Sequence, residues 1–183
     1  MLLYSSCISP RLQYITGFIG KEIFGKSFEI TTDKEYYLKG DTEKINYSSE
    51  RILSEEFWLK PHPLLFENKI SEQSIQCFEV SGQKAFFKSE GDFSFDIFAA
   101  SFYLLSRYEE YLTHRKDMYG RYAHENSLAF RENFLHIPLI NIWLEEFKKS
   151  LQAKFSNLKL RTSNFSFLPT YDKIGRASCR ERV

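Results

Sequence analysis

Gly20-Lys21-Glu22-Ile23-Phe24-Gly25-Lys26-Ser27 reproduces the phosphate-binding pattern G-x-x-x-x-G-K-[ST] letter for letter. Such a loop cradles phosphate because it follows a strand and opens a helix, so that backbone N–H groups and the helix N-terminus face the anion. Here a helical pattern precedes the stretch and a strand pattern follows it. Gly25 then reads as a helix stop, and a small-molecule or nucleotide site at Gly20–Ser27 stands as the alternative to a structural role. The four histidines, His62, His114, His124 and His136, include no pair at metal-binding helical spacing, and His124-Glu125 lacks the second histidine of a zincin helix. His62 is held between Pro61 and Pro63 and reads as a packing corner or a contact surface. Arg107, Tyr108, Glu109, Glu110 and Tyr111 gather charge and aromatic rings from which a binding site could be built, or simply a solvated face with Arg107 and Glu110 paired three apart. Cys7 sits just ahead of a helix start, a position that lowers a thiol pKa, although no histidine lies near it in sequence to make it a nucleophile.

Asp172 follows Pro169-Thr170-Tyr171 at the end of an apolar stretch, where α/β enzymes place acids and metal ligands. One carboxylate makes no site, because metal-assisted hydrolysis needs several ligands, an open coordination position and a base. Asp172 is therefore an orphan candidate base, and no metal or other cofactor is expected in this chain.

The elements that must position these residues are legible in part. Leu2–Ser5 is a short apolar strand. Ser9 can cap a helix with Pro10 at its first position, and Leu12, Ile15, Ile19 and Ile23 fall at helical spacing before Gly25 stops it. Phe28–Thr31 alternates as a second strand, so the opening is a βαβ unit whose crossover should be right-handed. Lys44–Tyr47, Phe57–Leu59, Ile75–Val80 and Ala85–Phe87 are further strand-like runs. From Asp96, a plausible cap, the stripe Ser101, Leu104, Leu105, Tyr108, Tyr111 and Leu112 predicts a long helix with Leu104, Leu105 and Tyr108 buried. A second long helix over about Pro138–Ala153 carries Ile140, Trp143, Leu144, Phe147 and Leu151 on one face, with Glu145 and Lys149 paired on the other. Phe165–Tyr171 reads as a closing strand. The expected fold is α/β, a mixed sheet with an N-terminal βαβ unit and two long amphipathic helices.

Composition narrows the classes. With 18 Phe, 11 Tyr and 2 Trp in 183 residues, the chain can bury a core, and disorder is excluded. Net charge is +1, giving no general field for nucleic acid or an acidic membrane. No window approaches the 18 or more apolar residues of a spanning helix, and Met1–Cys7 lacks the features of a signal peptide, so the expected compartment is the cytoplasm. Cys7, Cys77 and Cys179 are too few and too far apart for a disulfide framework, and reduced, mostly buried thiols are expected.

From Ile174 onward the texture changes to Ile-Gly-Arg-Ala-Ser-Cys-Arg-Glu-Arg-Val, which resembles a translated sequencing adapter. Residues 174–183 are set aside as an artefactual tail. They carry three arginines against Glu181, a net +2, so residues 1–173 carry −1.

Ser9-Pro10-Arg11-Leu12, Thr31-Thr32-Asp33, Lys44-Ile45-Asn46-Tyr47, Pro61-His62-Pro63-Leu64-Leu65-Phe66, Phe95-Asp96-Ile97-Phe98-Ala99-Ala100 and Leu104-Leu105-Ser106-Arg107-Tyr108-Glu109-Glu110-Tyr111 together resemble the N-terminal region of bacterial polysaccharide-deacetylase-like proteins. The resemblance continues through Ser127-Leu128-Ala129-Phe130 and Pro138-Leu139 to Pro169-Thr170-Tyr171-Asp172. It implies an accessory α/β domain over residues 1–164 and the opening strand of a deacetylase-type barrel over 165–173. Asp172 would match the first aspartate of Thr-Tyr-Asp-x-Asp, the family's candidate general base. The second aspartate and the histidine pair of the metal site are missing, so a divalent metal such as zinc would belong to the full-length parent. The expected function is that of a non-catalytic accessory domain whose partners are the missing barrel and a carbohydrate. The parent would be a hydrolase and this chain inactive.

Overall fold

The computed structural model describes residues 1–161 and 167–169. Four strands, β1 (Leu2–Ser5), β2 (Glu29–Thr31), β3 (Lys44–Tyr47) and β4 (Phe57–Leu59), form one sheet in the order β2-β1-β3-β4, every neighbouring pair parallel. Leu3 lies opposite Ile30 on one side and Ile45 on the other, and all three are apolar, as strands covered on both faces require. The opening βαβ unit stands as expected, with helix α1 (Pro10–Phe24) crossing from β1 to β2. The Ser9 hydroxyl accepts from Leu12 N–H, Pro10 occupies the first turn, and Gly25 ends the helix at φ 73°, a left-handed conformation that glycine adopts without strain. Leu12, Ile15, Ile19 and Ile23 are all fully buried. The chain then crosses back over β1 through a six-residue helix, α2 (Lys34–Lys39), which Asp33 caps by accepting from Glu35 and Tyr36 N–H. Sequence spacing gives no sign of α2 because its few residues span less than two turns.

After β4, a 3-10 turn over Pro63–Phe66 leads to a separate antiparallel hairpin, β5 (Phe78–Val80) and β6 (Gln83–Ala85). β5 is the C-terminal half of the run expected at 75–80, and β6 lies two residues ahead of the run expected at 85–87. The turn between them uses Ser81 and Gly82, both at positive φ.

Helix α3 (Ile97–Leu105) is shorter than the stripe predicted. Arg107 adopts the left-handed conformation (φ 51°, ψ 45°), the chain turns, and Tyr108–Tyr111 continues as a 3-10 turn. Spacings of three and four across 101–112 therefore do not mark one face. Tyr108 is buried as expected, but Leu104 and Leu105 are only partly covered and Tyr111 is exposed. Residues 97–103 are instead buried on every side, which makes α3 a central helix through its first two turns. Helix α5 (Leu139–Lys154) matches expectation within a residue and buries Trp143, Phe147 and Leu151. Its ion pairs run Glu145–Lys148 and Glu146–Lys149, three apart, in place of the expected Glu145–Lys149. Both pairings are sterically open on a helix, and Lys148 takes the nearer carboxylate while its stem is covered.

Edge-to-face rings join these layers. Phe147 packs against Phe57, Phe93 and Phe98 at centroid distances of 5.5, 5.4 and 6.0 Å, tying α5 to the sheet edge and to α3. Two buried carboxylates are embedded in the same layers. Glu56 accepts from Tyr37 Oη, Asn46 Nδ2 and Ile52 N–H at 2.7–2.8 Å, so α2, β3 and the loop before β4 share one acceptor. Asp96, the cap of α3, accepts from Ala99 N–H at 3.0 Å and from Tyr47 Oη and His62 N–H at 2.6 Å. The strand Phe165–Tyr171, Asp172 and the tail 174–183 lie outside the described residues, except that Phe167–Pro169 are exposed and carry no regular structure.

Candidate functional site

The long excursion between α3 and α5 builds a cleft beside the Tyr108–Tyr111 turn. The left-handed turn at Arg107 directs Glu109 inward, where its Oε1 accepts from Leu128 N–H at 2.7 Å and lies 3.7 Å from Arg131 Nη2. Both contacts hold helix α4 (Leu128–Arg131) against the 3-10 turn. Tyr108, on the other side of that turn, is sealed under the Arg11 guanidinium, 5.5 Å from its ring centre, and accepts from Ser71 N–H. The expected Arg107–Glu110 pair is present.

A tight hairpin supplies the opposite wall. Asp117 Oδ1 accepts from Tyr119 and Arg121 N–H, Gly120 turns the chain at φ 78°, and Lys116 pairs with Tyr122 across the stem. Asn126 fastens the base, accepting from Arg115 N–H and donating to Arg115 and Ala123 carbonyls. The result holds Tyr122 beside Tyr103 and Glu109. These three side chains form a partition between two cavities of about 460 and 470 Å3, within the size range of small-ligand sites. The first is walled by apolar groups, among them Phe134, Leu135 and Ile137, with Arg107, Glu110 and Asn141 supplying polarity. The second is more polar, with Gln73, His114 and Asn126.

Burial raises the Glu109 carboxyl pKa, against the opposing effect of Leu128 N–H and Arg131. Burial, followed by the Glu109 and Glu110 charges, pushes Tyr122 up to about 12, and burial followed by the Glu109 charge raises Tyr103. Both phenols are therefore hydrogen-bond donors at neutral pH. Tyr122 Oη is buried and has no hydrogen-bond partner among the described residues. Outside the cavity linings, Tyr111, Met118 and Tyr119 are exposed by 68, 87 and 71 %. The Arg121 guanidinium lies 4.8 Å from the Tyr119 ring centre, which steadies that ring.

Of the candidate site residues, Arg107, Glu109 and Glu110 line this cleft, together with His114, His124 and Glu125, while Tyr108 and Tyr111 do not. His62 forms a packing corner, its ring stacked 3.8 Å from that of Phe87, and burial lowers its pKa. Cys7 is exposed and Cys77 half-buried, so the expectation of mostly buried thiols fails for both. Among the described residues no three His, Cys, Asp or Glu side chains gather as a metal site, and no helix is long and apolar enough to cross a membrane. Tyr103, Tyr122, Arg131 and Phe134 had no sequence signal, because the cleft brings them to Glu109 from separate elements, as in the Glu109 contact to Leu128 nineteen positions away.

Gly20–Ser27 occupies the C-terminal end of α1 and the turn into β2. Gly20 is there for space: a Cβ would stand 2.8 Å from Lys26 O and 2.9 Å from Phe28 N. Both glycines of the pattern thus have packing or turn roles. A cavity of about 380 Å3 touches Phe24, Lys26 and Ser27, but the helix presents its carbonyl end there, the unfavourable end for phosphate. ATP or GTP should therefore leave the melting temperature unchanged, since a ligand that binds the native state must raise it. A saturable rise that Lys26→Ala abolishes would reverse this assignment.

Fold and cleft together define a small α/β domain with a four-stranded parallel sheet and a ligand-sized cleft built outside it, from the α3–α5 excursion. The chain belongs to a family of unknown function, DUF7033, whose model matches residues 1–156. No curated protein and no solved structure shows significant similarity to it.

Proposed function

We propose that this chain is the non-catalytic N-terminal accessory domain of a polysaccharide-deacetylase-like protein, and that its cleft takes carbohydrate. The sequence resemblance supports the first half. The observation that carries the second is the cleft itself, where aromatic rings stand beside carboxylate, guanidinium and amide groups. Rings offer apolar faces to the C–H side of a sugar, and the polar groups offer donors and acceptors to its hydroxyls. On this reading the partners are a carbohydrate and a downstream deacetylase-type barrel, the divalent metal belongs to that barrel, and the compartment is the cytoplasm.

The test has two arms. NMR titration of the full chain with soluble oligosaccharides should move the resonances of Tyr103 and Tyr122. Incubation with acetylated oligosaccharides should release no acetate, with or without zinc, because zinc catalysis needs three protein ligands and an open position. In a longer protein carrying the barrel, Asp172→Asn should lower turnover by removing the candidate base. Chelator-sensitive acetate release by the present chain would overturn the accessory assignment.

A further inference from the structure

We infer that the two cavities flanking the Tyr103–Glu109–Tyr122 partition are subsites of one track, and that their ligand is a neutral oligosaccharide spanning both. This rests on the carbohydrate reading above and goes further, to the length and charge of the ligand.

The first observation is the shared wall. Tyr103, Glu109 and Tyr122 line both cavities, so a ligand leaving one passes over the same three side chains to enter the other. Tyr122 lines that crossing through its ring, while its Oη is buried and has no hydrogen-bond partner among the described residues. Each cavity alone accommodates a small ligand. Units held on both sides of the partition bind as one molecule, the second at a high effective concentration set by the first.

The second observation concerns charge. Arg107 is paired with Glu110 and Arg131 lies 3.7 Å from Glu109, so each guanidinium already has a carboxylate beside it. Glu72 and Glu125 add acidic groups to the second cavity. An anionic polymer would meet this acidic side and would have to break an existing pair to gain one. A cation would find Glu109 and Glu110, the carboxylates lining the first cavity, already paired, and would meet the charge of Glu72 and Glu125 in the second cavity alone. Paired charges still offer acceptors and donors side by side, which suits hydroxyls that both give and accept hydrogen bonds.

Calorimetry on the full chain would use neutral gluco-, xylo- and N-acetylglucosamine oligomers of one to six units, with galacturonate oligomers as the anionic arm and glucosamine oligomers as the cationic arm. At least one neutral series should gain roughly tenfold or more in affinity between the shortest bound member and the hexamer. Thr113→Trp, which fills the second cavity from an exposed position, should reduce that gain to under about twofold. A urea midpoint equal to that of the wild type reports that the variant is folded. Length-independent binding at the cleft, a length gain that survives Thr113→Trp, or preference for either charged series overturns the inference and leaves the carbohydrate reading intact. Failure of every oligosaccharide to bind overturns that reading as well.

Discussion

Phe147→Ala is expected to destabilise the protein by about 3–5 kcal/mol, the usual range for a buried phenylalanine. The side chain is fully buried and its ring meets Phe57, Phe93 and Phe98, which belong to the sheet edge, the segment before α3, and α3 itself. No neighbour can close the cavity without unpacking a different layer, so relaxation should recover little. A loss of that size is a large share of the roughly 5–15 kcal/mol that holds a domain folded. Leu105→Ala makes the internal comparison: Leu105 is only partly covered at the end of α3 and should lose about 1–2 kcal/mol. Urea denaturation of the two variants reads both values from their midpoints. Equal losses would mean that Leu105 is as deeply packed as the sequence stripe suggests and that α3 runs on past Arg107.

That comparison also shows where local reading of the sequence stops working. Ser9, Pro10 and Gly25 act within their own helix, so α1 and the strands it joins are legible from residue types and spacing. The break at Arg107 is not, because the left-handed turn is made by an arginine where a glycine would have signalled it. Leu104, Tyr108 and Tyr111 keep helical spacing by coincidence across a change from α to 3-10 winding. The cleft fails to announce itself for a related reason. Arg107–Tyr111 is visible as a dense cluster, but the groups that give it a shape arrive from the hairpin at 115–123 and from α4, through contacts such as Glu109 to Leu128. Asp96 is an intermediate case. Its capping role is local and legible, whereas its bonds to Tyr47 and His62 span 49 and 34 positions and follow from tertiary structure alone.

Asp96 should accordingly be a highly sensitive polar position. Asp96→Ala removes the α3 cap and leaves Tyr47 Oη, His62 N–H and Ala99 N–H unpaired in the interior. Each buried orphan costs about 1–3 kcal/mol, so a total of at least about 3 kcal/mol is expected. Its ionisation has a distinct signature. Burial raises the Asp96 pKa from 3.8 to about 6, against the lowering effect of its four donors. An acid raised in the folded state contributes stability below its unfolded pKa and loses it as pH rises through the folded value. Between about pH 4 and pH 6 the unfolded chain ionises while folded Asp96 holds its proton, so its share of stability should fall by about 3 kcal/mol by pH 7. Glu109, also raised by burial, acts in the same direction, while His62, lowered by burial, loses stability as pH falls below 6.5. Asp96→Asn keeps the shape and cannot titrate, so the stability difference between wild type and this variant isolates the Asp96 contribution. That difference should shift steadily from pH 4 to pH 7, and a carboxyl NMR titration of the wild type should place the Asp96 midpoint near 6. A pH-independent difference together with a midpoint below about 4 would show that the four hydrogen bonds outweigh burial and that Asp96 is a fully ionised cap.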